Sequence, residues 1–414
     1  MGARVAVTPV GADTYVDLFT EYVIGGVRAS LAQVRAHEYA APDDVRRQAW
    51  HVLSFALDVN AAWAATKELL LELAPRMEQG GFRETWIPYL EQGIQASHLL
   101  FDEEAKAEFS FHLGMLYRLL SQHEKATTLL SASAETFARV GNPYGQAKTL
   151  NQLAYMAWQR HDMGKAEEYA QIALRLLEDT DPERAMGLSA LGLICKERAK
   201  WHNDINEWRK AEAYHRAALE LRNRAGDKRK IGWSLQNLAD VLAGQKRFVE
   251  SMQYFEQALS MMHEFGDEAN RAIVCMNLGV VYYENRDYAQ ALQWYERARL
   301  TFENLSDSIN LARCCLNSGL NYLALNNSTA AEKSFQNAAG LYKKAGNESM
   351  RLNATDGLAL ALLAQVRYQE AYNLLLEASA DLEQIVSAPI YGYLQECFEA
   401  HMAQAKEGLA KQTA

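Results

Sequence analysis

Asn237, Asn277 and Asn317 stand at equal steps of forty residues, inside the local patterns Asn237-Leu238-Ala239, Asn277-Leu278-Gly279 and Asn317-Ser318-Gly319. A carboxamide carries a donor and an acceptor, so such a row offers both at every step. The other residues able to do chemistry show no comparable order. Cys195, Cys275, Cys314, Cys315 and Cys397 form no C-x-x-C, and each sits in an apolar helical pattern. They read as small buried hydrophobes in a reducing compartment. The histidines form no H-E-x-x-H and pair with no cysteine at zinc spacing, so no metal site is expected. No phosphate-cradling G-x-x-x-x-G-K-[ST], dinucleotide G-x-G-x-x-G or nucleophile G-x-S-x-G is present. Glu103-Glu104 and Glu167-Glu168 are adjacent pairs, which point to different parts of a helix surface and suit solvent better than acid–base work. The residues predict no catalytic site and no cofactor.

The elements that carry these residues repeat. Three columns of mostly small residues fix the period. The first runs Ala74, Gly114, Ala154, then Ala239, Gly279, Gly319, Ala359. The second runs Trp86, Ala126, Ala166, Ala211, Ser251, Ala291, Ala331, Ala371, and the third Gly93, Ser133, Ala173, Ala218, Ala258, Ala298, Ala338, Ala378. The step is 40 throughout the second column, except for 45 between Ala166 and Ala211. Punctuation keeps the same step: Phe101-Asp102, Gly141-Asn142, Asp181-Pro182, Gly226-Asp227, Gly266-Asp267, Ser306-Asp307 and Gly346-Asn347. Glycine suits the left-handed end of a helix, and Asp or Asn caps the next one. Between these marks the apolar period is helical. A break at Asn285-Arg286-Asp287 separates a first helix from a second, Tyr288 to about Leu305. Each unit is predicted to be a helical hairpin closed at the small columns.

Small residues at the first and second columns, aromatics beside the second and a small residue at the third resemble the tetratricopeptide repeat. Asn277-Leu278-Gly279 … Tyr288-Ala289-Gln290-Ala291-Leu292 … Tyr295 … Ala298 is similar to its consensus almost throughout. The resemblance spans about residues 61–382, roughly eight units. The unit is longer than the usual one and lacks its terminal proline. Long variants of this kind resemble those of kinesin light chains, spindle-orientation adaptors, peptide-sensing bacterial regulators and the sensor regions of signal-transduction ATPases. The resemblance implies an all-α, right-handed superhelical solenoid with terminal capping helices, and first helices that line a concave groove. Residues 1–60 are then an N-terminal cap or extension, with one helix from about Asp13 to Tyr39 and another from Asp43 toward Met77. Residues 383–414 are a C-terminal cap, with a helix from Ile390 to Lys411. The extra residues of the irregular third repeat, near 185–225, are expected within Cys195 to Trp208. The inward positions implied by the resemblance include Asn151, Gln152, Tyr155, Trp158, Trp233, Asn237, Asp240, Asn277, Tyr283, Glu284, Arg313 and Asn317. In related long-repeat adaptors, carboxamide rows grip the backbone of an extended peptide. The alternative is that the asparagines bond within or between their own helices.

Composition narrows the partner. The 414 residues carry a net charge of −10, which argues against nucleic acid, because phosphate contacts need a basic face. No apolar run is long enough to span a bilayer. Met1 to Val10 lacks a basic start followed by an apolar core, so a cytoplasmic protein is expected. One segment inverts the charge: Lys196 to Lys230 holds eleven Lys/Arg against six Asp/Glu. Arg209, Lys210, Arg216, Arg222 and Arg224 could meet an acidic partner there, or simply form a solvated face. The expected function is a protein- or peptide-binding scaffold. The alternatives are a regulatory sensor that changes shape on binding a signal peptide or small ligand, and an accessory subunit of a separately encoded enzyme such as a protease. The oligomeric state is not readable from these patterns.

Overall fold

A computed structural model of the chain describes residues 12–37, 42–79, 82–264, 266–386, 388 and 390–413. The stretch Met1 to Val10 and Tyr39 therefore lie outside the described residues. Every regular element among the described residues is a helix. The chain forms two compact units, residues 1–194 and 195–414.

In the first unit, α1 (Ala12–Arg35), α2 (Asp43–Ala56) and a short 3-10 turn (Asn60–Ala62) precede α3 (Trp63–Gln79). Hairpins follow: α3 with α4 (Arg83–Leu99), α5 (Glu103–Leu119) with α6 (His123–Val140), and α7 (Pro143–Gln159) with α8 (Met163–Leu176). The long helix expected from Asp43 toward Met77 is broken: α2 ends at Ala56, and Leu57-Asp58-Val59 carries the chain to the 3-10 turn. α9 (Arg184–His202) spans the boundary between the units. The second unit continues with α10 (Ile205–Ala225), α11 (Lys228–Gly244), α12 (Phe248–Glu264), α13 (Glu268–Glu284), α14 (Tyr288–Asn304), α15 (Ser308–Ala324), α16 (Ser328–Lys344), α17 (Glu348–Ala364) and α18 (Tyr368–Leu382). α19 (Tyr391–Thr413) packs on α17 and α18 as a terminal cap.

Local chemistry sets these boundaries. Asp102, Asn142, Asp162, Asp227, Asp267, Asp287, Asp307, Asn327 and Asn347 each accept a backbone N–H from the first turn of the helix that follows. The cap satisfies one of the donors a helix leaves free at its start. Gly141, Gly226, Gly266 and Gly346 end helices at positive φ, and Phe101 and Ser306 take the same conformation without glycine's freedom.

The small columns are where the two helices of a hairpin meet. All eight members of the second column are fully buried. A Cβ at Gly319 would lie 2.7 Å from Cε1 of Phe335, and one at Gly279 would run into the ring of Tyr295. Glycine is thus required by close approach at these two positions, and the aromatic ring fills the room it leaves. A polar clasp recurs between hairpins of the second unit. Gln245 and Arg247 both donate to Glu212, and 120 residues later Gln365 and Arg367 both donate to Glu332.

The extra residues fall earlier than Cys195 to Trp208. Ala199 is fully buried and stands twelve residues before Ala211, as Gly279 stands twelve before Ala291, so it is the missing member of the first column. α9 starts fifteen residues before Ala199, whereas α13 starts eleven before Gly279. The link 177–183 before α9 is also longer than the link 305–307 before α15. Helix length and linker absorb the insertion, and the packed interface keeps its register.

Candidate functional site

In the second unit, α11, α13 and α15 each turn one side toward their own second helix at Ala239, Gly279 and Gly319. Asn237, Asn277 and Asn317 sit two residues earlier, more than half a helical turn round from that contact. All three are half-buried, and none of their carboxamides makes a side-chain hydrogen bond among the described residues. One turn further along the same faces, Val280 is 37% exposed and Leu320 38% exposed. The row thus pairs unengaged amides with accessible apolar groups.

Asp240, the residue equivalent to Val280, is engaged within the protein. Lys196 Nζ lies 2.6 Å from its Oδ2, and Lys196 is buried. Burial works to raise the Asp240 carboxyl, yet Lys196 and Lys200 hold it below the usual range. Trp233 is exposed on α11. The Tyr283 ring lies 5.6 Å from that of Tyr288, and Glu284 is exposed beside it. Arg313 is exposed and donates to Asn310 Oδ1 at 3.0 Å.

The first unit presents a different surface on α3, α5 and α7. Tyr155 and Trp158 pack with ring centres 5.5 Å apart, and the Arg118 guanidinium lies 5.8 Å from the Tyr155 ring. Lys148 lies over Phe111 at 4.1 Å and 3.5 Å from Glu108. Arg118 Nε, Trp158 Nε1 and His112 Nδ1 are buried without a hydrogen-bond partner among the described residues. Burial pushes the Glu78 carboxyl up to about 7, against the pull of Arg118, Arg83 and Lys148. Burial, then Lys148, takes the His112 imidazole down to about 3. Gln152 is half-buried on the same helix. Asn151 is an interior residue, fully buried, and donates to the Glu183 carbonyl and carboxylate at 3.2 and 2.9 Å. It ties α7 to the start of α9, so its NH2 group is spent inside the protein, while Oδ1 is buried without a hydrogen-bond partner among the described residues. Glu78 was missed by repeat reasoning because it belongs to an atypical first hairpin. His112 and Arg118 occupy recognisable inward positions.

The basic segment is largely self-neutralised. Arg216 donates to Glu212 at 2.7 Å and to the Tyr254 hydroxyl at 3.2 Å. Lys210 pairs with Glu207, Arg224 with Glu220, and Lys228 with Glu264. Arg222 is buried and donates to Ser234 Oγ and the Lys230 carbonyl, which removes it from any surface patch. Of the five cations predicted there, Arg209 is exposed without an ion pair among the described residues. Among the described residues no three His, Cys, Asp or Glu side chains gather as a metal site, and no helix is long and apolar enough to cross a membrane.

A forty-residue hairpin with buried small columns, glycines against aromatic rings and an open first-helix face is the geometry on which family comparison bears. The tetratricopeptide-repeat family model matches residues 195–264 and 270–344. Residues 195–344 carry tetratricopeptide repeats. Solved structures of other tetratricopeptide-type proteins share the all-helical repeat fold. A Rap protein complexed with competence and sporulation factor is 14% identical, with 94% of this chain and 99% of that one covered at a TM-score of 0.57. Aspartyl phosphate phosphatase F from Bacillus subtilis is 12% identical, with 92% and 96% covered at 0.53. A signal transduction ATPase with a tetratricopeptide repeat sensor from Pyrococcus horikoshii is 17% identical at 0.54, covering 87% of this chain, which spans 57% of that protein's length. At these identities the likeness is one of fold. Comparison with curated protein sequences finds no match.

Proposed function

We propose that the chain is a non-catalytic, cytoplasmic interaction protein whose first-helix faces hold an extended peptide or protein segment. The observation that carries this reading is the row Asn237, Asn277 and Asn317. Three half-buried carboxamides at equal sequence steps, with no side-chain hydrogen bond among the described residues, offer repeated donors and acceptors to an extended backbone. Val280 and Leu320 beside them supply apolar contact for alternate side chains. A peptide library displayed on phage and selected on the full chain tests it. Selected peptides should lose more than about tenfold in affinity on the Asn237→Ala/Asn277→Ala protein, because each lost hydrogen bond also strands a partner group, while the melting temperature is kept. Unchanged affinity, or lost stability with unchanged affinity, would sink the reading. A regulatory version, in which the bound peptide also changes the shape of the chain, draws on the fold likeness to a Rap protein solved with competence and sporulation factor. It predicts a change in radius of gyration by small-angle scattering when a selected peptide is added.

A further inference from the structure

A second site lies where α12, α13 and α14 converge, away from the asparagine row. It is a cavity of about 510 Å³, a size that suits a small organic ligand. Leu259, Leu300 and the Trp294 ring give it an apolar wall, and the buried Cys275 also lines it. Three basic groups border it: His263, Arg271 and Arg297. Arg271 is held in place, paired with Glu268 and donating to His263 Nδ1 at 3.2 Å. The Arg297 guanidinium stacks 4.6 Å from the Trp294 ring and has no acidic partner among the described residues.

The repeat supplies an internal control. At the three basic positions, the preceding unit has Asn223, Ile231 and Gln257, and the following unit has Glu303, Leu311 and Asn337. The hairpin packing needs no basic residue at any of them. Only the middle unit gathers three, in a chain whose net charge is −10. A guanidinium with no acidic partner among the described residues, stacked on an aromatic ring and lining an apolar cavity, suits a carboxylate.

We infer that this cavity binds a small carboxylate with an apolar body, its oxygens on Arg297 and Arg271 and its body against Leu259, Leu300 and Trp294. The site is independent of the asparagine row, so failure of one reading leaves the other standing.

The test uses 4-phenylbutyrate and its neutral amide, titrated into the full chain by calorimetry and ligand-observed NMR. The carboxylate should bind at least about tenfold more tightly than the amide, the difference expected for losing a charge-assisted hydrogen bond. Its affinity should fall with added salt. Arg297→Gln should lose the same factor. Leu300 is half exposed, so Leu300→Glu places a like charge at the site without disturbing the core, and should abolish binding even if Arg297→Gln proves poorly folded. Equal affinity for acid and amide, carboxylate affinity unchanged in Leu300→Glu, or no binding of the acid at millimolar concentration would each overturn the proposal. So would capture of an acidic peptide at this site with no response to the small acid.

Discussion

His215 is a strong test of the packing argument. It occupies the position that Phe255, Tyr295 and Phe335 fill in the next three hairpins, and it is fully buried. Neither ring nitrogen finds a hydrogen-bond partner among the described residues. Burial, then repulsion from Lys196, takes the imidazole from 6.5 down to about 3. The first-column residue of this hairpin is Ala199, as small as Ala239 in the hairpin that holds Phe255, so a phenyl ring is expected to fit here as it fits in α12. His215→Phe removes an unsatisfied buried polar group, which should stabilise by about 1–3 kcal/mol near neutral pH. The sign of the pH effect follows from the depressed value. Between 6.5 and about 3 the unfolded chain binds a proton that the folded one refuses, so the wild type loses stability as pH falls through 6.5. From about pH 7 to about pH 5 that loss is about 2 kcal/mol. The advantage of the variant should therefore grow by that amount on acidification. His112 and Glu78 titrate in both proteins and cancel in the comparison. Urea unfolding of both proteins at the two pH values, at fixed ionic strength, measures it. An advantage that does not change with pH would show that His215 is not a neutral core residue, and the reasoning fails.

Three further outcomes are expected. Gly279→Leu should cost roughly 1–3 kcal/mol by driving into the Tyr295 ring, and Gly279→Ala less, since Ala239 and Ala359 hold the same column; an unchanged melting temperature for the leucine variant would show the register to be wrong. Val366 holds φ at 64° in the exposed turn between α17 and α18, a strained conformation for a β-branched residue, so Val366→Gly should stabilise by about 1 kcal/mol in thermal melts. Glu78 is raised from 4.5 to about 7, so its burial costs stability progressively as pH rises through that window; Glu78→Gln should match the wild type near pH 4 and exceed it by roughly 2–3 kcal/mol near pH 8, and equal stability at both would place Glu78 in water.

Repetition made most of the fold legible. A cap or a small residue at one position is weak evidence, but the same residue type at every fortieth position reports the same backbone event many times. The boundaries of α14 and α19 agree with their expected ranges to within two residues at either end. Where the sequence does not repeat, the reading faltered. The single helix expected from Asp43 toward Met77 is two helices and a 3-10 turn, because no second copy existed to mark the break at Leu57. The 45-residue step revealed that an insertion exists, but its position needed the burial of Ala199, since a helix can lengthen at either end without changing the count between columns.

For the candidate site the division is sharper. Sequence alone determined the asparagine row, since spacing and residue type are enough to put three carboxamides on equivalent turns of three equivalent helices. Whether a polar side chain is available was decided only by tertiary structure. Asn151 and Arg222 have the composition of binding residues, yet both are buried and bonded to neighbouring segments. The three basic groups around the α12–α14 cavity lie on three different helices and share no motif. Their convergence, and the lack of an acidic partner for Arg297 among the described residues, come from how the helices pack, because hydrogen-bond partners are chosen by distance in space and leave no trace in local sequence.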